Sequence, residues 1–172
     1  MDIKEKAREG MNGFERVLHK IPGFKGYYER EFRRDADRLQ REFVVKQLRE
    51  GKKSLNRMIE ALSRQKNLEL LTEVDLFSRS LEKTISEIRY GDGGYSGFFD
   101  LIKIKEAELD AVYLIDSEMI DRAGRLNEEF QKAKDLAPSP AQMEPLREQL
   151  LQIEALFARR TDLLKGYPSQ GA

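Results

Sequence analysis

The spacing of apolar residues constrains this chain most, because it follows the three-to-four-residue repeat of an α-helix along most of the sequence. No stretch of useful length shows the two-residue alternation of a half-buried strand. The repeat predicts five helices, at about residues 2–20, 27–65, 68–90, 105–135 and 145–165. We therefore predict an all-α fold, an elongated antiparallel helical bundle of about five helices with coiled-coil-like packing.

The second predicted helix contains a glycine, Gly51, and its apolar stripe changes face after Phe43. A glycine inside a helix costs only about 1 kcal/mol relative to alanine, so Gly51 alone does not force a break. We favour one unbroken helix that ends at a turn formed by Lys66 and Asn67. Such a helix would be about 58 Å long. A chain reversal at Gly51 is the alternative.

Continuity at Gly51 also decides where two loops lie. If the helix is unbroken, residues 21–26 and 91–97 are at the same end of the bundle, whereas a reversal would put them at opposite ends. Aromatic residues flank both loops: Tyr90 closes the third predicted helix, and a further group of six is Phe24, Tyr27, Tyr28, Tyr95, Phe98 and Phe99. We call this group the aromatic end and interpret it as a candidate interaction site. It is either a packed satellite core, the more common outcome, or a recessed surface for a peptide or small ligand.

Charged residues sum to zero but are unevenly distributed along the chain. The sequence has 31 Lys and Arg and 31 Asp and Glu, so no overall field attracts nucleic acid or a membrane. Residues 1–66 have 18 basic and 11 acidic residues, whereas residues 67–172 have 13 and 20. The simpler interpretation is that the two halves pack together with opposite charges facing. The alternatives are a basic surface for a polyanion and head-to-tail self-association.

One stripe of the second predicted helix carries four arginines: Arg30, Arg34, Arg38 and Arg41. The stripe lies opposite the predicted apolar face, so we expect it to be in water. Guanidinium groups pair bidentately with phosphates, and such a row therefore indicates a polyanion site, for nucleic acid or anionic lipid. Acidic residues such as Asp37 interleave the row, and no aromatic residue lies on it to stack a base, which weakens this alternative.

The residue types that most enzymes need are scarce. The chain has no cysteine and one histidine, which excludes disulfides, thiolate catalysis and cysteine-bound metals and argues against a di-iron centre. The glycine-rich segment 91–97 follows a helix and lacks the GK[ST] of a phosphate-binding loop, so we interpret it as a link. We expect no catalytic, cofactor-binding or metal-binding residues and predict that the protein is not an enzyme.

One acidic residue, Asp116, falls on an otherwise apolar helix face. A buried carboxylate needs a hydrogen-bonding partner. We expect a tyrosine or an arginine from a neighbouring helix to be that partner.

No apolar segment has the length of a secretion signal or a membrane span. The longest purely apolar runs are about four residues, against about 20 for a helix that crosses a bilayer. We expect a soluble, cytoplasmic protein with one domain over residues 1–165 and a flexible tail over residues 166–172.

Four segments carry a resemblance to a known family: IPGFKGY at 21–27, EFRRDAD at 31–37, GYSGFFD at 94–100 and EAELD at 106–110. They resemble segments of a family of short, all-helical prokaryotic proteins, over about residues 15–120. The resemblance implies an all-helical fold and a prokaryotic source. It implies no functional residues, because that family has no established activity, cofactor or partner.

Taken together, these features favour a non-enzymatic helical scaffold or protein-interaction module, whose partner is another protein or a second copy of the chain. The last predicted helix has a heptad-like apolar face that would serve self-association: Met143, Leu146, Leu150, Ile153, Phe157 and Leu164. The alternative function is polyanion binding through the arginine stripe.

Overall fold

Four helices make up most of the described part of this protein, in a computed structural model. The structure describes Val17, Lys20, Ile21 and residues 32–91, 106–133 and 139–164. The helices are α1 (Phe32–Gln65), α2 (Leu68–Tyr90), α3 (Glu106–Ala133) and α4 (Pro140–Leu164). None of the described residues is in a strand, so the all-α prediction is confirmed.

The first predicted helix is described at only a few positions. Val17 and Lys20 are helical, and Val17 is buried. Lys20 Nζ donates to the Ser117 carbonyl oxygen at 2.9 Å and to Asp121 Oδ2 at 2.6 Å, so this point of the chain packs on α3. The rest of the first predicted helix, and the predicted tail at 166–172, lie outside the described residues.

The turn between α1 and α2 is at the predicted position. Lys66 has a left-handed φ of 56°, and the Asn67 N–H donates to the Leu62 carbonyl oxygen at 3.2 Å. Together with the bond from the Lys66 N–H to the Ser63 carbonyl oxygen, this is the Schellman arrangement that ends many helices. The Asn67 side chain then caps α2, because it accepts from the Leu70 N–H at 3.3 Å.

Helix α1 is unbroken at Gly51, as predicted. Gly51 is buried, and a Cβ at this position would lie 2.6 Å from Cε2 of Phe130 on α3. The Phe130 ring also packs on Phe77 of α2, with ring centroids 6.1 Å apart. Gly51 therefore marks a close approach between helices and not the end of one.

The buried face of α1 is one continuous stripe, which corrects the expected change of face after Phe43. Its members are Asp37, Gln40, Val44, Leu48, Gly51, Leu55, Met58 and Leu62. The first two are polar, although their side chains are buried, and Phe43 is only half-buried. Asp37 and Gln40 are polar and so do not appear in the apolar repeat, which hid this part of the buried stripe.

Helices α1 and α3 run side by side in the same direction. The Asn127 side chain of α3 donates to Gln47 Oε1 of α1 at 3.3 Å, and one turn later Phe130 lies beside Gly51. Since α1 and α2 form an antiparallel hairpin, the bundle combines antiparallel and parallel neighbours.

Helices α2 and α4 are also parallel neighbours. Arg147 Nη2 lies 2.5 Å from Glu73 Oε1. Further along both helices, Thr84 Oγ1 donates to Glu154 Oε1 at 2.6 Å. Helices that are consecutive in the chain are therefore antiparallel, and two hairpins lie side by side. One end of the bundle contains the beginnings of α1 and α3 and the ends of α2 and α4.

Helix α4 begins at Pro140, earlier than predicted. The Ser139 N–H donates to Gln142 Oε1 at 3.0 Å, and proline suits the first helical position, as in half of a capping box. Pro145 lies inside the helix and is exposed. The expected start at or after Pro145 is wrong because the cap at Ser139 starts the helix and an early-turn proline does not end it.

The heptad-like face of α4 is used inside the bundle. Its buried members are Met143, Leu146, Leu150, Ile153 and Leu164. Phe157 packs against the same core and is partly buried. The expectation that this face serves self-association is therefore wrong, because α2 and α3 already cover it.

Candidate functional site

A buried arginine near the end of α4, Arg160, holds two carboxylates. Its side chain is 2% exposed. Its Nε donates to Asp116 Oδ1 of α3 at 2.6 Å, and its Nη2 donates to Asp37 Oδ1 of α1. The predicted partner of Asp116 is thus an arginine from a neighbouring helix, as expected.

Arg41 extends this network to the surface and to α2. Its Nε and Nη2 donate to Asp37 Oδ2 at 3.0 and 2.8 Å. Its Nη1 donates to the carbonyl oxygens of Ile88 and Arg89, at 3.3 and 3.2 Å, in the last turn of α2. Cations near the last carbonyls of a helix are favourable. The expectation that Arg41 lies free in water is wrong, because the buried stripe of α1 passes through Asp37.

Burial and the neighbouring charges shift the pKa values of the groups in this network. Burial alone would lower the pKa of the Arg160 guanidinium, but the carboxylates of Asp116 and Asp37 raise it above its ordinary value. Burial raises the pKa of the Asp116 carboxyl, and the charge and hydrogen bond of Arg160 oppose that shift only in part. When both aspartates are ionised they balance the two arginines, and the network then adds no net charge.

The network joins four helices but offers no reactive group. Arg160 is enclosed, and both carboxylates are occupied by guanidinium groups. Among the described residues, no group of three or more His, Cys, Asp or Glu is placed to hold a metal ion. We interpret this network as a structural device that supports the surface beside it.

That surface is a basic groove of about 600 Å³ along the outer side of α1, closed at one end by the last turn of α2. Its basic residues are Arg38, Arg41, Lys46, Arg49, Lys53 and Arg89. Two carboxylates, Glu42 and Glu50, and the buried side chain of Val45 complete most of the lining. Arg41 is balanced by Asp37 behind it, so five other cations face two carboxylates and the groove has a net positive charge.

The cations of the basic groove differ in how far they are neutralised. Arg38 Nε lies 3.7 Å from Glu42, and Lys53 Nζ lies 2.8 Å from Glu50. The hydrogen bond and charge of Lys53 lower the pKa of Glu50, so that carboxylate is ionised. Within the part of the chain that the structure describes, neither Lys46 nor Arg49 forms an ion pair, and both are exposed.

The groove contains one exposed aromatic ring, which the sequence alone did not place there. Tyr90 is 67% exposed at the end of α2, and the Arg89 guanidinium lies 5.2 Å from the centroid of its ring. The expectation that no aromatic residue lies on the arginine stripe was based on the second predicted helix alone. The hairpin brings Tyr90 to the groove from a distant part of the sequence.

The predicted arginine stripe is only partly described. Arg38 lines the basic groove and Arg41 forms its wall while bonded to Asp37. Arg30 lies outside the described residues, and Arg34 is described only as part of the α1 backbone. The basic surface also extends beyond the predicted stripe, since Lys46, Arg49 and Lys53 continue it and Arg89 joins it from α2.

The six residues of the aromatic end lie outside the described residues: Phe24, Tyr27, Tyr28, Tyr95, Phe98 and Phe99. The last turn of α2 lies beside α1 at Arg41, nine residues after the first residue of α1.

Comparison with known protein families, with curated proteins and with solved structures gives no match. The resemblance to a family of short all-helical prokaryotic proteins therefore stays a prediction. None of the described helices is long and apolar enough to cross a membrane.

Proposed function

We propose that this protein is a non-enzymatic interaction module that binds a polyanion in the basic groove of α1. The observation that carries the proposal is the charge of the groove, which has two carboxylates and five cations besides the Asp37-bound Arg41, and in which Lys46 and Arg49 form no ion pair among the described residues. Clustered Lys and Arg on one face of a helix are the electrostatic footprint of proteins that bind phosphate chains. The chain has equal numbers of basic and acidic residues, so the attraction we propose is local to the groove.

The absence of catalysis is part of the same proposal. The buried ion network uses its carboxylates and guanidiniums to join helices, and the groove contains cations that bind anions without transferring a proton. A recognition role needs only a rigid array of donors, and the bonds from Arg41 to Asp37 and to the last turn of α2 supply that rigidity.

A second candidate function is a scaffold that associates with itself or with a protein. It is favoured by exposed leucines on α2 and α4: Leu68 is 71% exposed, and Leu76 and Leu151 are each 63% exposed. Exposed apolar patches mark protein interfaces when they are contiguous and large. Exposed leucines are common on protein surfaces, so we place this function second.

Several finer features belong to the proposal as well. They are a fifth helix over residues 2–20, coiled-coil-like packing between the helices and a cytoplasmic location. The helical backbone at Val17 and Lys20 supports the first, and the continuous buried stripe of α1 supports the second.

The test of polyanion binding is fluorescence anisotropy with labelled heparin, a polyanion that has sulfates but no bases. We expect binding at about 50 mM salt that weakens steeply as the salt concentration rises, because bound counterions are released. The double variant Lys46→Gln/Arg49→Gln should reduce the slope of log K against log salt by about two.

The matched control removes two positive charges outside the groove, with Arg79→Gln/Lys132→Gln. Both residues are exposed, on α2 and α3, and neither lines the groove. The control should bind heparin like the natural sequence. No binding at low salt, or equal losses in the two double variants, would contradict the proposal.

A further inference from the structure

We infer that the polyanion is a single-stranded nucleic acid, whose sugar–phosphate backbone follows the basic groove while one base stacks on Tyr90. This inference rests on the proposed function and makes it more specific. It combines two observations on one surface, the row of cations along α1 and the exposed ring at the end of α2.

The row of cations has the length of a short strand. Arg38 and Lys53 are 15 residues apart on one straight helix, which corresponds to about 22 Å. Lys46 and Arg49 lie between them and carry no ion pair among the described residues. A row of this length contacts several successive phosphates of one strand, since phosphates follow one another every few ångströms.

Tyr90 lies beside the row of cations, where a base of the bound strand can reach its ring. Its ring is mostly exposed, and the Arg89 guanidinium lies close to the ring centroid. Proteins that bind single strands without sequence preference combine a positive groove with aromatic side chains on which bases stack. A guanidinium and a ring that are already associated add a cation–π contribution to such a platform.

Other polyanions use this surface less completely. A duplex keeps its bases paired and stacked, so it offers Tyr90 no base. An anionic membrane is flat, whereas the groove is recessed and has one exposed aromatic ring and no exposed aliphatic side chain in its lining. An acidic peptide matches the cations but has no planar group for the ring.

The test compares four probes at the same salt concentration with the full chain: labelled heparin, an oligothymidylate of about 20 nucleotides, a DNA duplex of equal length and vesicles that contain phosphatidylserine. Tyr90→Leu removes the ring and keeps apolar bulk, while Tyr90→Phe keeps the ring and serves as the matched control. Tyr90 is exposed at a helix end, so both variants should fold, which thermal unfolding monitored by circular dichroism checks.

We expect the natural sequence to bind the single strand more tightly than the duplex. Tyr90→Leu should weaken binding of the single strand about fivefold or more, the loss of one stacked base, and leave heparin and duplex binding unchanged. Tyr90→Phe should bind all probes like the natural sequence. Tyrosine fluorescence gives a second readout, because stacking of a base on Tyr90 quenches the ring, and Tyr90→Phe removes that part of the quenching.

Two results would overturn this inference and leave polyanion binding in place. One is heparin or vesicle binding without preference for the single strand, and the other is an equal effect of Tyr90→Leu on single strand and duplex. Absence of binding to all four probes would overturn the proposed function itself. The two failures are therefore distinguishable in one set of titrations.

Discussion

Gly51 of α1 lies directly against the ring of Phe130 of α3, so the residue that contacts this large ring is one without a side chain. A Cβ on Gly51 would lie 2.6 Å from Cε2 of that ring, closer than carbon atoms pack. The same ring packs on Phe77 of α2. The glycine that suggested a break in the helix therefore determines how closely three helices approach.

This relationship predicts opposite effects for the same substitution at two glycines. Gly51→Ala should destabilise the protein by up to about 2 kcal/mol, because overpacking costs about 1–3 kcal/mol and better helix propensity returns about 1 kcal/mol. Gly124→Ala is the control, since no atom lies within 4 Å of a Cβ there, and it should stabilise α3 by about 0.5–1 kcal/mol. Urea unfolding of both variants measures the free energies. Equal signs would contradict the packing role of Gly51.

The buried network predicts a large cost for removing its central cation. Arg160→Met should destabilise the protein by about 3–5 kcal/mol, because it leaves the buried carboxylate of Asp116 without its counterion and Asp37 with Arg41 alone. Arg159→Met, an exposed neighbour, is the control and should change the free energy of unfolding by about 0.5 kcal/mol or less. If both variants unfold at the same urea concentration, the network does not stabilise the fold.

The raised pKa of Asp116 predicts a pH dependence with a definite sign. Burial is the larger cause of the shift, and Arg160 opposes it. Between the ordinary aspartate pKa of about 4 and the raised value, the folded protein holds a proton that the unfolded chain has released. The contribution of Asp116 to stability should therefore fall as the pH rises through that window.

The difference in free energy of unfolding between the natural sequence and Asp116→Asn isolates this effect from other groups. It should change with pH by at most about 1.4 kcal/mol per unit, the limit for one proton. Asp110→Asn removes an exposed carboxylate from the same helix and is the control. A difference that is constant from pH 4 to pH 7 would show that Asp116 does not titrate in this way.

Lys66 predicts a stabilising substitution at the turn between α1 and α2. Its φ of 56° is left-handed, a conformation that glycine adopts without the steric cost that other residues meet. Lys66→Gly should stabilise the protein by about 0.5–1 kcal/mol, after the greater freedom of glycine in the unfolded chain is subtracted. Arg64→Gly, in the right-handed last turn of α1, should instead cost about 1 kcal/mol. Thermal midpoints of the two variants should move in opposite directions.

Local signals made much of the fold predictable. The turn at Lys66 and Asn67 and the bounds of α2 follow from the apolar repeat and its interruption, and both are confirmed. The need of Asp116 for a cationic or hydroxyl partner also follows from its position on an apolar face. These features depend on residues a few positions apart.

Features that depend on distant residues could not be read from the sequence. Nothing near Asp37 shows that Arg160 lies on it, so its burial and the true inner face of α1 were missed. Tyr90 joins the basic groove only because the hairpin returns α2 to the start of α1. The start of α4 was predicted at Pro145, whereas the cap at Ser139 starts the helix five residues earlier, at Pro140.

The bridge between Asp37 and Arg160 also has a kinetic consequence, because the two residues are 123 positions apart in the chain. Each hairpin can assemble from contacts that are near in sequence, whereas this bridge requires both hairpins to have docked. We therefore expect loss of the bridge to accelerate unfolding and to leave the refolding rate nearly unchanged. The network would then govern how long the native state persists after it has formed.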